Sequence, residues 1–266
     1  MAGPDGAGGR ERAEPEAQST GWLPSNALEM LAAEAFKVRP PQVVRDLLCG
    51  RVGDPRSRFI NEVTLPDPPQ APLVLTVTCR LSRSRPSIWR RLELRGELTL
   101  DEVHACLQTA MGWSGEHAHH FELPSVSHRE RSRFFLTEVD IEDGRKGTPE
   151  AEARLDQVLC EHDDEVLYHY DYCEDWAHLL TLEWSHEAVA DDLPATCLKA
   201  VGACPAEGIG GVEDWNRLAD ALRLHRNPRA LGGELADLAA RLPDGFDPDR
   251  VDIDEINARL AQVSRG

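Results

Sequence analysis

At 266 residues, 41% of them apolar and 29% charged, the chain is long enough for one sizeable domain with an appendage or for two small ones. Its 47 acidic against 29 basic side chains give a formal charge of −18, which opposes non-specific attraction to nucleic acid or to an anionic membrane surface. No apolar run approaches the roughly 18 residues of a membrane span. The seven cysteines are odd in number and widely spread, behind a start with no apolar signal segment, which favours reduced thiols in a soluble cytoplasmic protein over a disulfide framework.

Residues 1–20 are rich in Gly, Ala, Pro and Glu with no large apolar side chain after Met1, a composition that predicts a disordered tail. Residues 21–65 read as a helical N-terminal extension. Ser25 or Asn26 caps a helix in which Leu28, Leu31, Ala32 and Ala35 share a face, and a second short helix covers residues 41–48 before Gly50. The PDPPQAP stretch at 66–72 reads as a stiff, extended linker.

The main domain is expected at 73–262. LVLTVTCRL at 73–81 alternates and is β-branched, and a second strand over 88–94 completes a first hairpin across the SRSRPS turn. Thr99 then caps a helix, with Glu102 completing a capping box, Leu100, Val103, Leu107 and Ala110 on one face, and Gly112 as the stop. Residues 119–123 and 133–136 read as strands and 154–160 as a helical turn. The stretch at 185–211 reads as a loop, and helices follow at 213–224, 230–242 and 252–260. Strands first and helices last give an α+β fold: a largely antiparallel sheet built from hairpins, covered on one face by helices, with an N-terminal helical extension.

The chain is organised around VLYHYDYCEDWAHLLTLEW at 166–184, two alternating arms that meet at a short acidic turn. Val166, Tyr168, Tyr170 and Tyr172 share one face of the first arm, and Trp176, His178, Leu180, Leu182 and Trp184 one face of the second. A two- or three-residue turn pairs Tyr172 with Asp175 or with Trp176, which leaves His178 beside Asp171 or Tyr170 across the ladder.

Five blocks, IWRRLEL, LDEVHACLQTAMGWSGEHAHHFEL, YHYDYCEDWAHLLTLE, CLKAVGACPAEGIGG and FDPDRVDIDEINARL, resemble in order and spacing the plasmid pRiA ORF-three-like family over about residues 73–260. The resemblance implies an α+β structural type. The family is largely of unknown function and is loosely labelled a TnpR-like transposon resolvase, although no serine-recombinase signature precedes the sheet. The family pattern D-[FY]-G-D-x-W-x-H is matched at Asp171, Trp176 and His178, while Cys173 and Glu174 stand where the family has Gly and Asp. In the later block Cys197, Cys204, Pro205, Glu207, Gly210 and Gly211 match, and Ala200, Gly202, Ala206 and Gly208 depart.

The candidate binding pocket read from these residues comprises Asp171, Trp176, His178, Cys204 and Glu207, with Tyr170 or Trp176 as an aromatic wall. Asp171 and His178 form a general-base pair or a cross-strand pair that pins register. His117, His119, His178, Cys197 and Cys204 are the side chains able to ligate zinc, against the bland reading of loop thiols and hydrogen-bonded imidazoles. Residues 79–95 carry six arginines with no acid before Glu93, and Arg90 and Arg91 flank Trp89 as candidate contacts for nucleic acid or another anion. The function read from the sequence is a non-enzymatic binding or interaction module for an unknown ligand or protein partner. The alternatives are a metal-assisted phosphoester hydrolase and a DNA-associated accessory protein of mobile elements.

Overall fold

Alternating apolar side chains at 73–81 and 89–95 lay down the first two strands of the computed structural model, which describes residues 65–124, 132–225 and 231–263. Strands β1 (Leu73–Leu81) and β2 (Trp89–Arg95) pair antiparallel, with Leu75, Val77, Cys79, Leu92 and Leu94 on the face that becomes the core. Helix α1 (Leu100–Met111) follows. The Thr99 backbone N–H donates to the Glu102 carboxylate, and Gly112 takes the left-handed φ of 83° that ends the helix, as its cap pattern predicts.

Next come β3 (His119–Leu123), β4 (Arg133–Leu136), α2 (Glu138–Glu142) and the two-residue β5 (Thr148–Pro149). Then come α3 (Leu155–Val158), β6 (Glu165–Tyr170), β7 (Trp176–Glu187) and β8 (Ala195–Val201). The helices α4 (Gly211–His225), α5 (Glu234–Ala239) and α6 (Ile253–Val263) close the chain. The eight strands form one sheet in the order β5-β4-β3-β6-β7-β1-β2-β8, antiparallel throughout except for β4 against β5. This is the expected α+β architecture. The core lies between one sheet face and the buried stripes of the helices: Val103, Leu107 and Ala110 from α1, Trp215, Leu218 and Leu222 from α4, Ile256 and Leu260 from α6. No described helix is long and apolar enough to cross a membrane. Among the described residues Cys79, Cys106, Cys160, Cys197 and Cys204 are free thiols. The expected tail and helical extension, apart from Leu65, lie outside the described residues.

Three expectations are corrected. The stretch read as a loop after Trp184 contains β8, which pairs with β2 as an edge strand; the short alternation of ATCLKAV between Pro194 and Gly202 hides it. The Asn257 side chain of α6 both accepts from the Cys197 N–H at 2.7 Å and donates to the Cys197 carbonyl at 3.0 Å, occupying that residue's outward backbone groups.

The central hairpin turns over five residues, not two or three. Tyr170 pairs with Trp176 and Tyr168 with His178, so His178 is opposite neither Asp171 nor Tyr170. Asp171 and Asp175 adopt left-handed φ of 55° and 52°, so positive φ falls on two Asp, which tolerate it, and Cys173 is spared.

The face assignments end early in both arms. A bulge between Thr76 and Val77 pairs Trp184 with Thr76 and Leu182 with Val77, so Trp184 turns to the uncovered face and is 65% exposed. Tyr172, already inside the turn, leaves the core face as well, and its phenol meets His120 on the opposite side.

Candidate metal centre

On the helix-covered side the turn and residues 202–210, between β8 and α4, do meet, through residues the sequence did not pair. The Glu174 carboxylate accepts from the Gly210 N–H at 2.8 Å and from the Trp176 indole at 3.0 Å, and burial pushes its pKa up. Glu207 accepts from the Tyr170 phenol at 2.5 Å and from the Ser114 N–H at 2.9 Å. Asp171 accepts at one oxygen from the Cys173 and Glu174 N–H groups, while the other lies 3.9 Å from His117.

His178 is 1% exposed. Its Nδ1 meets the Trp176 carbonyl at 3.1 Å, and burial lowers its pKa to about 3. It is a neutral core imidazole bonded to Trp176, while Asp171 turns to the Cys173 and Glu174 N–H groups and to His117, so the general-base pair is not assembled. Cys204 lies 3.4 Å from Arg90 and 3.1 Å from the Met111 sulfur, its thiol raised by burial. Trp113 stands among these groups: stacked on Tyr170 at 5.3 Å, edge-on to His178 at 5.4 Å, its indole N–H donating to the Pro205 carbonyl. This indole packs on Tyr170, Trp176 and His178 and ties them to Pro205, next to Cys204 in sequence.

The sequence-read metal ligands do not gather either. His119 is buried against Glu150 at 3.0 Å and stacks on His104 at 3.5 Å. His117 is half-exposed beside Asp171, and Cys197 faces the Lys199 carbonyl. Arg90, read as an anion contact, is 2% exposed and donates to the carbonyls of Trp89, Ala110, Val201 and Gly202, which makes it a clasp between sheet, helix and loop. Arg91 sits on the uncovered face, paired with Glu183 at 2.8 Å.

Among the described residues, one group of three ligating side chains converges, on the opposite face: His120, Glu122 and His169, with donor atoms all within 4.8 Å of one another. Period-two alternation puts His120 and Glu122 on one face of β3, and register sets His169 of β6 directly across from His120, so three neighbouring positions share one patch. The two imidazoles stack at 4.8 Å and 7°, and His169 Nε2 lies 3.6 Å from Glu122 Oε2. That nitrogen is buried with no hydrogen-bond partner.

Both imidazoles are held from behind. His169 Nδ1 lies 3.1 Å from the Asp175 carboxylate, which can only accept, so Nδ1 carries a proton and Nε2 is the nitrogen turned toward Glu122. His120 Nδ1 lies 3.2 Å from the Tyr172 oxygen. That oxygen also receives Arg145 Nη1 at 2.6 Å and faces two pure acceptors, the Asp140 carboxylate and the His119 carbonyl, both at 2.9 Å. With that proton on Asp140 or the His119 carbonyl, the Tyr172 oxygen accepts from His120 Nδ1. Burial raises the Tyr172 phenol pKa further, so it stays protonated for this task. Asp140 is fully buried, and Arg145 lies 3.5 Å from it and over the Tyr172 ring.

Two imidazole nitrogens and one carboxylate, with carboxylate and phenol partners behind the rings, form a donor set suited to a divalent first-row transition metal. Zinc bonded at about 2.0–2.2 Å requires its donors to approach to roughly 3.3 Å, a small closure from the present spacing. The sequence reading missed these residues because His120 and His169 point away from the aromatic face that drew attention. H-x-E inside a strand was the available signal, and the register that brings His169 across was not.

A family model described as plasmid pRiA4b ORF-3-like protein matches residues 73–255. The uncharacterized protein y4hQ of Sinorhizobium fredii is 28% identical over 153 residues, covering 56% of this chain and 73% of that one. The crystal structure of MM3350, a protein of unknown function from Methanosarcina mazei Go1, is similar with a TM-score of 0.58 at 25% identity, covering 70% of this chain and 97% of that one.

Proposed function

The chain belongs to the plasmid pRiA4b ORF-3-like family, and from the geometry above we propose that it is a binding module for a divalent transition-metal ion, held by His120, Glu122 and His169. The observation that carries this reading is the pairing of an unpartnered, buried His169 Nε2 with a carboxylate on one side and an Nδ1 anchor on the other. A buried ring nitrogen left without a partner costs stability unless something binds it. Three protein donors leave further coordination positions to water or an outside ligand, and Glu122 and His169 each keep about a fifth of their side chains exposed (20% and 18%).

The reading is tested by titrating metal-stripped protein with zinc and cobalt in a calorimeter, with elemental analysis of the purified protein beside it. One equivalent per chain is expected, with affinity lost at least a hundredfold in His120→Ala and His169→Ala and unchanged in Cys204→Ser. Wild-type affinity in a folded His120→Ala, His169→Ala double variant places any bound metal elsewhere and ends the proposal.

A further inference from the structure

Residues 171–175 serve two sides of the sheet at once. Toward the face opposite the core, Tyr172 holds the Nδ1 of His120 and Asp175 that of His169, so this one turn supplies the rear partner of both ligand imidazoles. Toward the helices, Glu174 accepts from the Gly210 N–H, next to the first residue of α4. There is little slack at that contact. Gly211 has φ 83°, and a Cβ built on it meets the Glu174 carbonyl at 2.7 Å.

The turn is also braced internally. The Asp175 N–H donates to the Asp171 carbonyl at 2.7 Å, and the Asp171 side chain takes the Cys173 and Glu174 N–H groups. Displacement at Tyr172 or Asp175 therefore carries Glu174 with it. The contacted stretch, residues 203–211, holds Glu207, which secures the Tyr170 phenol and Ser114.

We propose, resting on the metal-binding reading above, that the 171–175 turn couples metal occupancy to the order of residues 203–211 and the start of α4. Closing His120 and His169 around an ion draws on their Nδ1 partners, fixes the turn, and through Glu174 fixes the loop. Linkage makes the effect reciprocal: disturbing the loop contact weakens metal binding although no ligand is touched.

The test is hydrogen exchange of the full chain with and without zinc, combined with zinc calorimetry on wild type, Glu174→Ala, Glu174→Gln and Gly211→Ala. Zinc is expected to slow exchange across residues 203–211 at least fivefold. Glu174→Ala and Gly211→Ala are expected to remove that response and to lower zinc affinity about tenfold. Glu174→Gln retains an acceptor oxygen for Gly210 and is expected to restore most of both, which separates coupling from failure to fold. If wild type takes up no zinc, the metal reading falls and the coupling with it. If zinc binds in a His120- and His169-dependent way while exchange over 203–211 is unchanged and Glu174→Ala binds like wild type, the coupling alone is overturned.

Discussion

The Asp175 carboxylate lies 3.1 Å from His169 Nδ1, held there by a residue whose own backbone is left-handed at φ 52°. Asn tolerates that conformation and still accepts the Nδ1 proton, but without the charge that strengthens the imidazole as a donor to metal. Zinc affinity is expected to fall about tenfold in Asp175→Asn and about a hundredfold in Asp175→Ala, by calorimetry at pH 7. Unchanged affinity in both would mean that His169 is oriented by stacking on His120 alone.

Burial lowers the His178 pKa to about 3, and burial together with neighbouring His119 does the same to His104. Between about pH 6.5 and 3 the unfolded chain therefore binds one more proton at each of these sites than the folded one. Their contribution to stability is complete above pH 6.5 and is lost as the pH falls, at roughly 1.4 kcal/mol per pH unit for each histidine. Urea unfolding from pH 7 to 4.5 should show this slope, and His178→Leu should flatten it by about one proton. An unaltered slope would mean that His178 becomes charged in the folded protein.

Arg90 binds four backbone carbonyls from within the core. Arg90→Ala leaves those acceptors without a donor and opens a void, for an expected loss of about 3 kcal/mol or more in chemical unfolding. Arg91→Ala, on the uncovered face with Glu183, should cost about 1 kcal/mol or less. Equal losses would contradict the division of this Arg-Arg pair into one buried clasp and one surface charge.

Leu65 packs against the core, and the Pro66 carbonyl accepts from the Gln157 side chain at 2.6 Å. A chain that begins at Leu65 is therefore expected to unfold in one cooperative step at a urea midpoint close to that of the full chain. A chain cut at Leu73 should unfold earlier, by about 1–2 kcal/mol, for the lost leucine contact and hydrogen bond. Loss of cooperativity in the chain from Leu65 would place earlier residues within the folding unit.

Most of the strands were legible because one of their faces is buried. The alternation of residues 89–95 and around Val166, Tyr168 and Tyr170 reports that burial directly, whereas in β1 Val74, Thr76 and Thr78 are buried on the other face as well. Side-chain periodicity carries no record of which strand lies next to which, so the juxtaposition of His120 and His169 required the register of β3 on β6. The five-residue turn was hidden for a related reason: Tyr172 continues the apolar alternation of its arm, but its hydroxyl finds Asp140 and Arg145 on the other side. Trp184 misled in the same way, since a bulge one residue earlier reverses the sense of everything after it.

Both outer strands of the sheet are made unattractive to another chain. At one end β5 is two residues long and finishes in Pro149, which has no N–H to offer an incoming strand. At the other, β8 would present a longer ladder, yet the carboxamide of Asn257 mimics a peptide bond and occupies both outward groups of Cys197 in its middle. A sheet of eight strands that was open at either border could template fibre growth by edge-to-edge stacking. Asn257 thus works as a built-in terminator, and replacing it by an aliphatic residue would expose the protein to polymerisation through its last strand.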